Sequence, residues 1–195
     1  HRGPFSETLI LREIITGPIP SKNNMRSYEE FRAECLKCRK CKLAQGRTQV
    51  VVGDGLAPCD LMLIGEGPGE EEDKQGIPFV GRSGQLLTKI LASVDIKRPG
   101  NVYIANIVKC RPPHNRNPEP DEVAACLPWL KEQIALVQPK ILVLVGAVAM
   151  KVEVILARRG GAKSQGAGAI QDLTARLGLQ ALVVLPPGGA DLFFR

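Results

Sequence analysis

At 195 residues the chain can form one compact α/β domain or two small ones, and 44% apolar with 24% charged residues is the composition of a folded globular protein. Lys and Arg number 26 against 20 Asp and Glu, a net charge of +6 that permits a polyanionic partner without requiring one. No apolar run reaches about 18 residues, which excludes a membrane-spanning helix, and the only histidines, His1 and His114, exclude an H-E-x-x-H metalloprotease.

Residues 1–26 are weakly patterned and read as an N-terminal extension, with GPIPSKNN (17–24) as a linker. Residues 27–195 are expected to form a single domain. Ser27 and Glu30 fit a capping box that opens a short helix towards Cys35. LMLIGEG (61–67) reads as a buried strand. SGQLLTKILASV (83–94) reads as a helix with Leu86, Leu87, Ile90, Leu91 and Val94 on one face. A second strand is expected at VYIANIVKC (102–110), then a helix at 119–137 with Pro128 near its centre, then a third strand at KILVLVG (140–146). Helical AVAMKVEVIL (147–156) follows. The Gly- and Ala-rich stretch 157–180 reads as a loop with a short helix at 170–177, and ALVVLPP (181–187) as a fourth strand. Strands alternating with helices predict parallel pairing and a sheet covered on both faces. Ligands of such sheets sit at the carboxyl ends of the strands, so the informative loops follow residues 65, 106, 146 and 186.

Six cysteines need a reason: Cys35, Cys38, Cys41, Cys59, Cys110 and Cys126. Three read C-x-x-C-x-x-C, and two more are separated by fifteen residues. No signal-peptide h-region precedes them, the expected compartment is the cytoplasm, and clustered thiols there read as metal ligands rather than disulfides. Spacing alone leaves zinc and an iron–sulfur cluster both open.

GEGPGEEEDKQGIPFVG (65–81) is not a dinucleotide fingerprint. Its glycines are not followed at once by a helix, four consecutive acids repel phosphate, and no G-K-[ST] is present. What remains is a loop of side-chain-free backbone amides beside carboxylates and one aromatic, Phe79, which suits a small polar ring.

Together, CRKCKLAQGRT, LIGEGPGEEEDKQGIPFVGRSGQLL and NVYIANIVKCRPPHNRNPEPDE resemble the family 4, iron–sulfur type of uracil-DNA glycosylase, over about residues 38–150. The resemblance implies a three-layer α/β/α sandwich around a four-stranded parallel sheet. It implies a 4Fe–4S cluster held by Cys38, Cys41, Cys110 and Cys126, with Cys35 as a rival for Cys38. The implied partner is uracil-containing DNA, single- or double-stranded, bound by a monomer and by no membrane. Uracil must be flipped out of the stack, and its N-glycosidic bond breaks through an oxocarbenium-like sugar, leaving a uracil anion and an abasic site.

By the same resemblance, Glu66 orients water or stabilises the cation, with Glu72 as a second catalytic candidate. Gly65 and Gly67 line the base site, Phe79 stacks on the flipped base, and Asn106 reads its edge. Asn115 supports the pocket from the RPPHNR loop, where His114 is a loop residue rather than a catalyst. Lys109, Arg111, Arg116 and Arg195 are the expected DNA contacts.

The family's last motif, H-P-[AS]-x-L-L-R, is degenerate. ADLFFR (190–195) aligns with its tail and sets Gly189 where the His belongs. Losing a donor to the developing anion typically costs about 10²–10³ in rate. The alternatives to an active glycosylase are therefore a catalytically impaired iron–sulfur relative that binds nucleic acid, or a zinc-stabilised interaction module.

Overall fold

The computed structural model describes residues 25–146 and the backbone of strand 181–185. The extension before residue 25, the helices expected at 147–156 and 170–177, and the tail with Gly189 and Arg195 lie outside the described residues. Strands β1 (Leu61–Gly65), β2 (Tyr103–Asn106), β3 (Ile141–Val145) and β4 (Ala181–Leu185) pair in parallel in the order β2-β1-β3-β4. Helix α1 is Tyr28–Leu36, α2 is Leu43–Gly46, α3 is Glu70–Gln75, α4 is Arg82–Ser93 and α5 is Pro120–Val137.

Successive strand residues point to opposite faces, and the two cores separate accordingly. Met62, Ile64, Tyr103, Ala105, Leu142 and Leu144 pack with Phe31 of α1 and with Leu127, Leu130, Ile134 and Val137 of α5. Leu63, Ile104 and Val143 pack on the other face with Leu87 and Leu91 of α4. Apolar residues on both faces are why these strands read as continuous hydrophobic runs. The chain leaves β1 for one neighbour and reaches β3 on the other side, so the crevice at the carboxyl end of β1 lies at a topological switch point.

The capping box at α1 forms as the sequence indicates. Ser27 Oγ accepts from the Glu30 backbone N–H at 3.2 Å, and Glu30 accepts from the Ser27 N–H at 2.7 Å. Pro128 sits inside α5. Three expectations need correction. The acidic run 70–73 is not a loop but the first turn of α3, where carboxylates face unsatisfied backbone N–H groups. The ladder of β2 ends at Asn106, although Ile107 and Val108 still donate to the carbonyls of Gly65 and Glu66. Finally, Leu86 of α4 and Val94, just past its end, are exposed, because Leu87 and Leu91, one turn apart, meet the sheet. No helix among the described residues is long and apolar enough to cross a membrane.

Leu130 is fully buried and Leu86 is not, so the two leucines should respond differently to truncation. Leu130→Ala is expected to cost about 2–5 kcal/mol, and Leu86→Ala to stay within about 0.5 kcal/mol. Denaturant unfolding of both variants checks this.

Candidate functional site

Gly65 closes β1 and Asn106 closes β2, opposite one another in the ladder. A Cβ on Gly65 would lie 2.5 Å from Asn106 Oδ1 and 2.6 Å from the Phe79 ring. The absence of a side chain at 65 is therefore what lets an amide and an aromatic ring converge over the strand end. Asn106 is 2% exposed, and its Oδ1 is the one buried side-chain polar atom without a partner among the described residues. A buried acceptor left without a donor costs about 1–3 kcal/mol. Asn106 and Phe79 line a cavity of about 370 Å³ together with Gly67, Gly81, Ser83 and Asn115.

The cavity wall is held from behind. Phe79 has φ 52°, a left-handed conformation that a bulky residue rarely adopts. A Cβ at Gly84 would fall 2.0 Å from the Phe79 carbonyl, so only glycine lets α4 pass so close. Glu72 Oε1 accepts from the backbone N–H groups of Val80 (2.9 Å) and Gly81 (2.8 Å), and Oε2 accepts from Gly69 (3.1 Å). Asp73, buried, accepts from the Thr48 and Gln49 N–H groups. Two of the four acids thus bind backbone rather than facing solvent.

A second cavity of about 140 Å³ adjoins the first and shares Gly67, Gly69 and Asn115 with it. Half-buried Glu66 lines this second cavity, with Pro112 and Arg116. Asn115 is exposed and its Oδ1 accepts from Arg111 Nε at 2.7 Å, while Arg111 also reaches Glu70 at 3.3 Å. Neighbouring His114 is exposed with φ 55°. Arg116 forks onto Glu122 at 2.6 and 2.9 Å. That guanidinium holds the buried Glu122 carboxyl below the ordinary carboxylate range.

Lys109 is a correction to the expected DNA contacts. It is 1% exposed, and its Nζ donates to the Asn106 carbonyl (2.7 Å) and to Gln133 Oε1 (2.5 Å), so it cannot reach a phosphate. Burial pushes its ammonium downward, opposed by the neighbouring Cys126, Cys35 and Cys110. Strand alternation gave no hint of this, because the chain has left the ladder before residue 109.

Cysteines gather around the buried Lys109. Cys38, Cys41, Cys110 and Cys126 belong to one packed cluster with fully buried Cys35, and all six thiols are free. Three sulfurs face N–H donors: Cys38 the Trp129 indole (3.2 Å), Cys110 the Arg47 guanidinium (3.2 Å) and Cys126 the Lys109 backbone (3.3 Å). Burial pushes the Cys126 and Cys35 thiols up to about 12. Among the described residues no three His, Cys, Asp or Glu side chains close around a point fit for a single ion. The sequence reading missed Arg47 and Trp129 as partners of the thiols; Arg47 stands in the quoted cysteine motif, whereas nothing local marks Trp129.

The sequence model of the uracil DNA glycosylase superfamily matches residues 52–187, well over half of the chain and including every element that builds the pocket. The chain belongs to that superfamily. Its similar relatives include a type-4 uracil-DNA glycosylase of Sulfurisphaera tokodaii, 48% identical over 63% of this chain and 56% of its own length. Another, from Thermotoga maritima, is 53% identical over 58% of this chain and 59% of its own. A third, from Archaeoglobus fulgidus, is 42% identical over 64% of this chain and 62% of its own. The chain therefore spans a little under two thirds, at most, of each of these glycosylases.

Because Arg116 depresses Glu122, this pair stabilises the fold above the ordinary carboxylate range and loses that contribution as pH falls through the lowered value. Glu122→Gln should lower stability near neutral pH and flatten the loss of stability on acidification. Unfolding midpoints of both proteins across an acid pH series measure it.

Proposed function

We propose that the chain is a uracil-DNA glycosylase, which flips uracil out of DNA and hydrolyses its N-glycosidic bond. The observation that carries this reading is the partnerless, buried Asn106 Oδ1 beside the Phe79 ring in a cavity of about 370 Å³. Uracil carries a donor at N3 and an acceptor at O4, matching the oxygen and the amino group of one asparagine amide. Cytosine has an unprotonated N3, which would oppose that oxygen acceptor to acceptor. Membership of the superfamily and the type-4 relatives support the same reading.

In this reading the base enters the larger cavity against Phe79, and the sugar lies at the smaller one beside Glu66. The Glu66 carboxylate stabilises positive charge developing on the sugar and orients the attacking water. Gly65 and Gly67 let the base approach the backbone, and Gly67 N–H belongs to a loop that a side chain at 67 would push into Val108. Glu72, with both oxygens taken by three backbone N–H groups, positions this wall, while Glu66, on the wall of the smaller cavity, is the catalytic carboxylate. Asn115 borders both cavities, and Arg111 and Arg116 flank it as phosphate contacts, with Arg195 further along the chain. Residues 27–195 then act as one catalytic unit on DNA.

The thiol set fits an iron–sulfur cluster. A cubane needs its four thiolates farther apart than one ion does, and N–H groups aimed at sulfur are what stabilise such ligands. Cys38, Cys41, Cys110 and Cys126 would hold it, with Cys35 left as a core thiol. When bound, such a cluster would cross-link the segment before α2, the stretch after β2 and helix α5. The second reading, a relative that binds DNA without cleaving it, is favoured by Gly189 standing where the family motif carries His.

Protein purified without oxygen should cleave a uracil-containing single-stranded oligonucleotide in a single-turnover incubation scored by alkaline cleavage. Glu66→Ala and Asn106→Ala should each slow it by about 10²-fold or more. Binding without cleavage by the folded wild type would instead establish the second reading. The same preparation should be brown, and Cys110→Ser and Cys126→Ser should lose that visible absorption and their iron. A colourless wild type containing one zinc would refute the cluster.

A further inference from the structure

Arg98 lies outside both cavities and outside the three quoted segments that carry the family resemblance, yet its guanidinium is nearly enclosed, with 7% of the side chain exposed. One end of it holds the segment that carries the aromatic ring. Nη1 donates to the Phe79 carbonyl at 2.6 Å and Nη2 donates to the Pro78 carbonyl. On its other edge, Nε and Nη2 donate to Asp54 Oδ2, each at 3.2 Å. Asp54 is itself fixed to β2, exchanging both backbone hydrogen bonds with Ile104 at 2.9 and 2.8 Å.

Three facts make these contacts more than structural filling. Phe79 has φ 52°, so its backbone needs an external hold to stay in a region unfavourable for a bulky residue. Gly84 passes against the same carbonyl on the α4 side without a side chain and offers no hold of its own. Asn106 stands two residues beyond Ile104 on β2, so the Asp54–Arg98 pair ties the ring to the strand that carries the amide. The planar fork of arginine, with donors in fixed directions, meets carbonyls on one edge and a carboxylate on the other, which a lysine cannot reproduce.

We infer that Arg98 is a positioning residue for base recognition, which sets the Phe79 ring against the Asn106 amide through the Pro78 and Phe79 carbonyls and the Asp54 carboxylate. The inference rests on the uracil-DNA glycosylase reading above and specifies what holds its base site in register.

The test is a double-mutant cycle on inhibition by free uracil, in the 195-residue chain purified without oxygen, using Arg98→Met, Phe79→Ala and both together. Arg98→Met should raise the uracil inhibition constant roughly tenfold, within the range that stacking on one base provides. It should leave affinity for a uracil-free oligonucleotide unchanged. In the Phe79→Ala background the same substitution should add nothing further. If Arg98→Met does not fold by circular dichroism, Arg98→Lys, which keeps the charge and loses the fork, carries the same cycle. Unchanged uracil inhibition in the single variant, or effects that multiply in the double variant, would overturn the inference while leaving the glycosylase reading intact. A wild-type protein that neither cleaves the uracil-containing oligonucleotide nor is inhibited by uracil would overturn both.

Discussion

The close approach at the end of β1 governs the rest of the site. Gly65 has no side chain, so the Asn106 amide and the Phe79 ring meet over one strand terminus instead of being held apart. The ladder aligns Gly65 with Asn106, and the same ladder fixes the height of the pocket floor. Everything on the rim answers to that convergence. Gly84 lets α4 pass behind Phe79, Glu72 gathers three backbone N–H groups around the opening, and Arg98 anchors the peptide carbonyls.

Behind the floor, the polar groups form a continuous chain rather than isolated pairs. Lys109 joins the Asn106 carbonyl to Gln133, whose amide donates at 2.8 Å to both the Val52 carbonyl and the Tyr103 hydroxyl. Tyr103 in turn bonds the Tyr28 hydroxyl at 2.6 Å, which brings α1 into the network. A fully satisfied buried network of this kind rigidifies a core and specifies one arrangement of it. The exception is Asn106 Oδ1, left open at the end that faces the cavity. The ammonium at 109 also lies among the thiols of Cys126, Cys35 and Cys110, so the cysteine-bearing segments and the floor of the larger cavity share one cation.

Much of the fold was legible because parallel strands buried on both faces leave runs such as LMLIG and ILVLV, and because Ser27 and Glu30 announce their helix. Phe79, Asn106, Gly65 and Glu66 stand out in the sequence through their motifs and their place after strands, and the structure puts Phe79, Asn106 and Glu66 on cavity walls, with Gly65 against the first two. What escaped notice depended on contacts between distant parts of the chain. The acidic run looked like part of a loop, since nothing nearby reveals that Asp73 meets Thr48 and Gln49 from another segment. Lys109 looked like a phosphate ligand because it flanks the RPPHNR loop, and burial alone decides otherwise. Arg98 carries no motif at all, and its partners lie 19 to 44 positions away.

The four consecutive acids of α3 have one charge but differ in their freedom to change. Glu70 and Glu71 meet Lys74, an exposed neighbour on their own helix, and exchange with other polar residues would leave the backbone as it is. Glu72 spans from Gly69 to Gly81, so even aspartate, one methylene shorter, would have to release an amide at one end. Asp73 sits in a space closed by the chain at 48–49, where the extra methylene of glutamate has nowhere to go. Sequence drift among descendants of this chain should therefore be free in the first half of that run and nearly silent in the second, although no difference in charge separates the two halves.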